Sequence, residues 1–100
     1  MATILYGTVG KDGKKLGGSG YSVSHTGGSG IYFITFQQPF NKLPGGSTTQ
    51  IYPNDPSSKG GNTMDNALII YLSTEQMNVK TGDGSGNASD RDFTFIIVGD

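Results

Sequence analysis

The segment 83–90 places oxygen-bearing side chains at alternating positions, which is the pattern of a loop that could bind a hard cation. It reads Asp83-Gly84-Ser85-Gly86-Asn87-Ala88-Ser89-Asp90, and calcium takes about six to eight oxygen ligands. The spacing departs from that of a helix-loop-helix calcium site, because the glycine is displaced, no glutamate closes the loop and no helix flanks it. The sequence therefore predicts a solvated polar loop and no metal site.

His25 is the only histidine, and the chain has no cysteine. No nucleophile and base can be paired around it, and no Gly-x-Ser-x-Gly elbow stands between a strand and a helix. The Gly-Ser-Gly sequences at 18–20 and 84–86 precede no helix that could point its dipole at a phosphate. We therefore expect neither enzymatic activity nor a cofactor. For His25 two roles remain open, a structural residue at a strand end or a residue that senses pH or caps a ligand.

Tyrosine side chains offer another kind of chemistry, because an aromatic ring can pack on the C–H side of a sugar while polar neighbours bind its hydroxyls. Tyr52 begins the longest stretch without a pattern, 53–65, and Tyr71 lies on an apolar strand. Tyrosine on a strand can equally pack between subunits. Exposed tyrosine on loops would indicate binding, whereas tyrosine buried at a symmetric interface would indicate assembly.

Short alternating segments separated by glycine-rich turns must position these residues. The segments are Thr3–Val9, Tyr21–His25, Ile31–Gln37, Thr48–Tyr52, Ala67–Leu72, Met77–Lys80 and Phe93–Gly99. No window of about eleven residues has helical apolar spacing without an interrupting Gly or Pro. The pattern predicts a single domain over residues 1–100, an all-β, antiparallel β-sandwich of about six or seven strands. Helix should account for less than about a tenth of the residues.

Three segments carry the strongest apolar pattern. The segment 31–40, with Pro39-Phe40 near its end, predicts one long strand that turns a corner. Ala67–Leu72 is a nearly continuous apolar run, which predicts a central strand buried on both faces. The predicted core consists of Ile34, Phe36, Phe40, Leu68, Ile70, Leu72, Phe93, Phe95 and Ile97.

Composition limits the partners and the compartment. The net charge is −1, and no basic cluster exceeds Lys14-Lys15, which argues against nucleic-acid binding. No run of about eighteen apolar residues is present, and the N-terminus lacks a charged region followed by an apolar one. We therefore expect no membrane insertion, and no signal peptide is visible. The absence of cysteine fits both a reducing cytoplasm and an extracellular or virion-associated particle, so the localisation stays open.

The expected core is thin. Only 33% of the residues are hydrophobic, and 17 are glycines, which lose more backbone entropy on folding than other residues. Domains of this size often gain stability from disulfides, metals or oligomerisation. Since disulfides are excluded, self-association is the expected route to additional buried area.

A family resemblance rests on a series of short motifs. They are Ile34-Thr35-Phe36, Pro39-Phe40, Pro44, Ala67–Leu72, Met77-Asn78-Val79 and, after a polar loop, Phe93–Gly99. In this order the sequence, from residue 5 to 99, resembles the H-type lectins and the related β-sandwich modules of bacteriophage tail fibres. The hairpin that starts at Gly18–Val23 is closer to the tail-fibre version. The resemblance implies an antiparallel sandwich, a homotrimer and recognition of cell-surface glycans near subunit boundaries.

The resemblance also implies a site. By position, the sugar-contacting loop of the lectins corresponds to 82–91, with a further contact near 66–71. The residues with suitable chemistry there are Asp83, Asn87, Asp90, Arg91 and Tyr71, and we expect Asp83 and Arg91 to be exposed. The implied function is a non-enzymatic, lectin-like glycan-binding module that acts as an oligomer. The alternative is a structural trimerisation or assembly module of a tail fibre or similar adhesion fibre, without a ligand of its own.

Overall fold

The computed structural model describes residues 2–100, and this part of the chain forms eight β-strands and no helix. The strands are β1 (Thr3–Val9), β2 (Lys15–Gly18), β3 (Tyr21–His25), β4 (Ile31–Phe36), β5 (Gly45–Ile51), β6 (Asn66–Leu72), β7 (Gln76–Gly82) and β8 (Asp92–Gly99). All strand pairs are antiparallel. The all-β prediction is confirmed. The structure has one strand more than the upper predicted number, because the short glycine-containing β2 lacks the alternation that marks the others.

Two four-stranded sheets enclose the core. Sheet A has the order β2-β1-β8-β5, and sheet B has the order β3-β4-β7-β6. Aromatic rings join the sheets, since the Tyr21 and Phe95 centroids lie 5.0 Å apart and the Tyr32 and Phe93 centroids also lie 5.0 Å apart. The two inner faces therefore pack against each other, an arrangement consistent with a β-sandwich.

Alternation along β4 and β8 places their side chains as predicted. In β4, Ile34 and Phe36 are buried and Phe33 is exposed. In β8, Phe93, Phe95 and Ile97 are buried, whereas Ile96 and Val98 face solvent. Successive side chains of a strand point to opposite faces, so period two accounts for both patterns. Six predicted core residues are buried, namely Ile34, Phe36, Phe40, Phe93, Phe95 and Ile97, and Leu72 packs against them partly buried.

The prediction that Ala67–Leu72 forms a central strand is wrong. The segment belongs to β6, an edge strand whose only ladder is with β7, and Leu68 and Ile70 are 43% and 48% exposed. Ala67 and Ile69 are the residues that face the core. The register then shifts between Ile69 and Tyr71, and this bulge turns Leu72 back toward the interior. Leu68 and Ile70 are therefore not core residues.

The prediction of one long strand through Phe40 also needs correction, because β4 ends at Phe36. The chain then leaves the ladder: the Gln37 N–H donates to the Gly20 carbonyl at 2.9 Å and the Phe40 N–H donates to the Thr74 carbonyl at 2.8 Å. Phe40 is still buried, with its ring edge-on to Phe36 at 5.3 Å. The corner exists, but it is an irregular connection rather than a bent strand.

Four connections meet at one end of the two sheets, which we call the loop end. They follow β1, β3, β5 and β7 and span residues 10–14, 26–30, 52–65 and 83–91. Their position follows from antiparallel pairing, in which Val9 pairs with Phe93, Ile51 with Asp92 and Asn66 with Gly82. Thr3 pairs with Gly99 at the opposite end. The chain's longest loop and the predicted binding loop are thus brought together.

Candidate functional site at the loop end

An aromatic ring stacked on a buried cation is the central feature of the loop end. The Arg91 guanidinium carbon lies 3.4 Å from the centroid of the Tyr52 ring. Arg91 is only 9% exposed, whereas Tyr52 is 49% exposed. Tyr52 directly follows β5 and Arg91 directly precedes β8, so the pairing of Ile51 with Asp92 makes them neighbours. The guanidinium covers one side of the ring, and about half of the tyrosine stays open to solvent.

Polar groups hold the Arg91 guanidinium in place. Its Nη1 donates to Gln50 Oε1 at 3.1 Å and lies 3.7 Å from Asp65 Oδ1. The amide nitrogen of Gln50 in turn donates to the carbonyls of Asn66 at 2.7 Å and Gly82 at 2.8 Å. The expectation that Arg91 is exposed is therefore wrong, because the β5–β8 ladder draws it under Tyr52 and against Gln50.

A polar groove runs beside this stack. It encloses about 550 Å³ between β5 and the following loop, and its lining residues are Thr48, Thr49, Gln50, Tyr52, Gly60, Gly61, Asn62, Thr63, Asp65 and Asn66. Hydroxyl, amide and carboxylate groups of this kind both donate and accept hydrogen bonds. Gln50, Asn62 and Asp65 were not among the predicted site residues. The sequence pointed to this region through the Tyr52 ring and the unusual length of the loop that follows it.

The predicted residues Asp83 and Asn87 lie in the turn after β7. Asp83 Oδ1 accepts hydrogen bonds from the N–H groups of Asn87 at 3.0 Å and Ser85 at 2.9 Å. These backbone donors, that of Asn87 above all, lower the pKa of the Asp83 carboxyl from its ordinary value. Both residues line a cavity of about 230 Å³ that also includes Asn66 and Lys80. Because Asn66 also lines the groove beside Tyr52, the two spaces adjoin.

The other predicted residues are dispersed. Asp90 lies beside His25 rather than beside Asp83. Tyr71 is 52% exposed and pairs with Asn78 on β7. It is five residues from Asn66 at the loop end, which is roughly 16 Å along a strand. Asp83 and Asn87 thus lie together. Arg91 is linked to their turn by Gln50, which binds both the Arg91 guanidinium and the Gly82 carbonyl. Tyr71 lies apart from these residues.

His25 and Asp90 form a second polar contact at the loop end. The His25 ring stacks on Tyr32 at 4.0 Å, its Nδ1 donates to the Ile31 carbonyl at 2.7 Å, and its side chain is 3% exposed. Its Nε2 lies 3.3 Å from Asp90 Oδ2 but has no hydrogen-bond partner among residues 2–100. His25 is thus a buried residue at the end of β3, held by the Tyr32 ring and the Ile31 carbonyl.

The Asp90 carboxylate also closes the loop between β3 and β4. It accepts hydrogen bonds from the N–H groups of Gly28 at 2.6 Å and Gly30 at 2.8 Å. Gly30 has a φ of +69°, and a Cβ there would lie 2.8 Å from the Thr81 carbonyl. Glycine is therefore required where this loop passes close to β7.

Stability should depend on the charge of Asp90. Partial burial tends to raise its pKa, but the Gly28 and Gly30 N–H groups and His25 outweigh burial, and the pKa is lowered. A lowered pKa in the folded state gives stability that is present above the unfolded value, about 3.9, and is lost as pH falls through the folded value. Asp90→Asn should flatten this acid part of the profile when the melting temperature is measured by calorimetry against pH.

The control for that experiment is Asp12→Asn, which changes another aspartate at the loop end. Asp12 is exposed, and among residues 2–100 its carboxylate accepts a hydrogen bond only within its own turn, from Lys14 N–H at 3.0 Å. Its profile should run parallel to that of the parent. If the Asp90→Asn profile is also parallel to the parent, Asp90 does not contribute to acid sensitivity.

Within residues 2–100, no group of three or more His, Asp or Glu side chains is arranged to hold a metal ion. No helix in this range is long and apolar enough to cross a membrane. No family model matches the sequence, and no curated protein or solved structure is significantly similar to it.

Proposed function

We propose that this protein is a non-enzymatic glycan-binding module that acts as an oligomer and binds its ligand at the loop end. The observation that carries the proposal is the half-exposed ring of Tyr52, held on Arg91 beside a polar groove. The ring offers an apolar surface to the C–H side of a pyranose. The groove offers donors and acceptors to its hydroxyls. Such a site needs neither a metal nor a titratable pair.

The restrained side chains favour binding. Arg91 limits the motion of Tyr52, and Gln50 is held by two backbone carbonyls. A side chain that is already ordered loses less entropy when a ligand binds. Asp65 and Asn62 then face the same groove with groups that suit hydroxyls. We accordingly place the first sugar unit at Tyr52.

The loop 82–91, which the lectin resemblance implies as the sugar-contacting loop, adjoins the sugar position at Tyr52. A Cβ on Gly84 would lie 2.7 Å from the Asn62 side chain, so the two loops are in contact. We propose that Asp83 and Asn87 contact a second unit of an extended glycan. Arg91 positions the Tyr52 ring, and Asp90 positions the loop between β3 and β4. Tyr71 has no part in this site, because it lies too far along β6. An H-type-lectin-like fold and a homotrimer remain part of the proposal.

The alternative function is a structural trimerisation or assembly module of a tail fibre or similar fibre. One observation favours it, the number of large apolar side chains at the surface. They are Ile4, Tyr6, Leu16, Phe33, Leu43, Tyr52, Met64, Leu68, Ile70, Tyr71, Ile96 and Val98. Extended apolar surface commonly marks a protein–protein contact. In this alternative the loop end carries no ligand.

Tyr52→Ala should weaken glycan binding at least about tenfold, which is a loss of about 1.4 kcal/mol. The parent is first screened on a glycan array, and the affinity for the best glycan is then measured by titration calorimetry. Binding should persist in EDTA and be weak per site, with avidity from the oligomer. Tyr52→Phe should bind nearly as well as the parent, because it keeps the ring.

Tyr71→Ala is the matched control, since Tyr71 is 52% exposed and Tyr52 is 49% exposed. It should leave the affinity unchanged. If Tyr71→Ala weakens binding and Tyr52→Ala does not, the site lies on the outer face of sheet B. A parent that binds no glycan on a broad array would exclude the lectin function and favour the assembly module.

A further inference from the structure

We infer that the outer face of sheet A is an interface that is covered by a second copy of this chain. The inference rests on the oligomer in the proposed function, and it identifies the surface through which the chains of that oligomer contact one another. We call the patch formed by Ile4, Tyr6, Ile96 and Val98 the β1–β8 face. These side chains are 64%, 63%, 45% and 40% exposed, although a sheet face that meets only water is normally polar.

The β1–β8 face is continuous. Ile4 pairs directly with Val98, and Tyr6 pairs directly with Ile96. Side chains opposite each other in an antiparallel pair have Cβ atoms about 4.5–5.5 Å apart, so the four form one block. Both strands are central in sheet A. The apolar block therefore occupies the middle of the face rather than an edge.

Uncharged residues surround this block. Ten outward positions of β1, β8 and β5 carry no charge, namely Ile4, Tyr6, Thr8, Thr94, Ile96, Val98, Gly45, Ser47, Thr49 and Ile51. The next outward position of β8 toward the loop end is Asp92, whose carboxylate accepts hydrogen bonds from Lys11 N–H at 2.6 Å and the Asn54 amide at 3.1 Å. When identical faces of two or three chains meet around a symmetry axis, a charge near that axis lies close to its like-charged copies. A face without charge avoids that repulsion, which is why we assign a second copy as its partner.

The outer face of sheet B differs in this respect. Three of its exposed apolar residues are paired with polar ones. Leu68 lies opposite Lys80, and Tyr71 lies opposite Asn78. Phe33 is also opposite Asn78. If this face met itself, Lys80 side chains would be brought near one another and desolvated. Of the two outer faces, the β1–β8 face is the better suited to self-association.

Association through the β1–β8 face leaves the Tyr52 groove accessible. The groove lies between β5 and the loop that precedes β6, at the ends of the strands, whereas the apolar block lies on β1 and β8. An assembly joined through this face would present one groove for each chain. Several weak sites in one assembly supply avidity, as the proposed function requires.

The test is the molecular mass of variants, measured by light scattering after size-exclusion chromatography at micromolar concentration. The parent should have the mass of two or three chains, and Ile96→Lys should have the single-chain mass of 10.5 kDa. Leu68→Lys is the matched control, because Leu68 is 43% exposed and Ile96 is 45% exposed. It should keep the parent mass. Circular dichroism and thermal melting verify that each variant is folded.

Tyr6→Ser provides a second variant, which removes apolar surface from the same face without adding charge. It too should shift the mass toward a single chain. A monomeric parent, an Ile96→Lys protein that keeps the parent mass, or dissociation caused by Leu68→Lys alone would overturn the inference. The glycan measurement stays separate: a folded, monomeric Ile96→Lys protein should still bind glycan at one site, and failure to bind would count against the proposed function only.

Discussion

Phe95→Ala should lower the free energy of unfolding by about 3–5 kcal/mol, the usual loss for a buried phenylalanine. Phe95 is 3% exposed, and its ring meets Tyr21 edge-on at 5.0 Å. It lies in β8 opposite Gly7 on one side and Thr48 on the other. Truncation would leave a cavity between the sheets and remove support from Tyr21, which is itself fully buried.

The matched control is Phe33→Ala, the same chemical change at a side chain that is 42% exposed. We expect a loss of about 1 kcal/mol or less at this position. Both variants are compared with the parent by urea unfolding at one fixed protein concentration, because association would add to the apparent stability. Equal losses in the two variants would mean that the contact between the sheets does not control stability.

Arg91→Ala should lower the free energy of unfolding by about 3 kcal/mol, because removing one member of a buried ion pair leaves the other charge unpaired. The Arg91 and Asp65 side chains are each only 10% exposed. Gln50 Oε1 would also lose its donor, and Tyr52 would lose the cation on which it stacks. The melting temperature should therefore fall together with glycan affinity.

Two further variants make the Arg91 prediction specific. Lys59→Ala removes an exposed cation from the loop that follows β5 and should change stability by no more than about 0.5 kcal/mol. Asp65→Asn, added to Arg91→Ala, removes the unpaired charge and should restore part of the loss. A double variant no more stable than Arg91→Ala alone would show that the charge of Asp65 is not the cause.

The alternation of apolar and polar residues along the sequence by itself determined much of the fold. The inward residues of β4 and β8 follow from period two, because neighbouring side chains in a strand point to opposite faces. Glycine-rich breaks separated the segments, and the absence of helical spacing was sufficient to predict an all-β chain. The polar turn at Asp83 could also be predicted from the sequence, because its hydrogen bonds join residues only two and four positions apart.

The order of strands in the sheets was decided by the tertiary structure. A continuous apolar run such as Ala67–Leu72 has the same local pattern whether it is central or at an edge. Leu68 is exposed because it points to the outer face of sheet B, just as Ile96 of the central strand β8 points to the outer face of sheet A. Ile70 is exposed at the bulge after Ile69. Strand order depends on contacts between distant segments, which local periodicity does not encode.

The site depends even more on tertiary contacts. Arg91 reaches Gln50 across 41 positions of sequence, and it is buried because β5 and β8 pair in the register that joins Ile51 to Asp92. His25 meets Asp90 because the loops after β3 and β7 lie at the same end of the sheets. A residue's type could suggest that it binds a ligand, but its burial and its partners follow from the fold. For that reason the sequence determined the polar character of the loops, whereas the structure decided that Tyr52, and not Tyr71, offers a ring beside a polar groove.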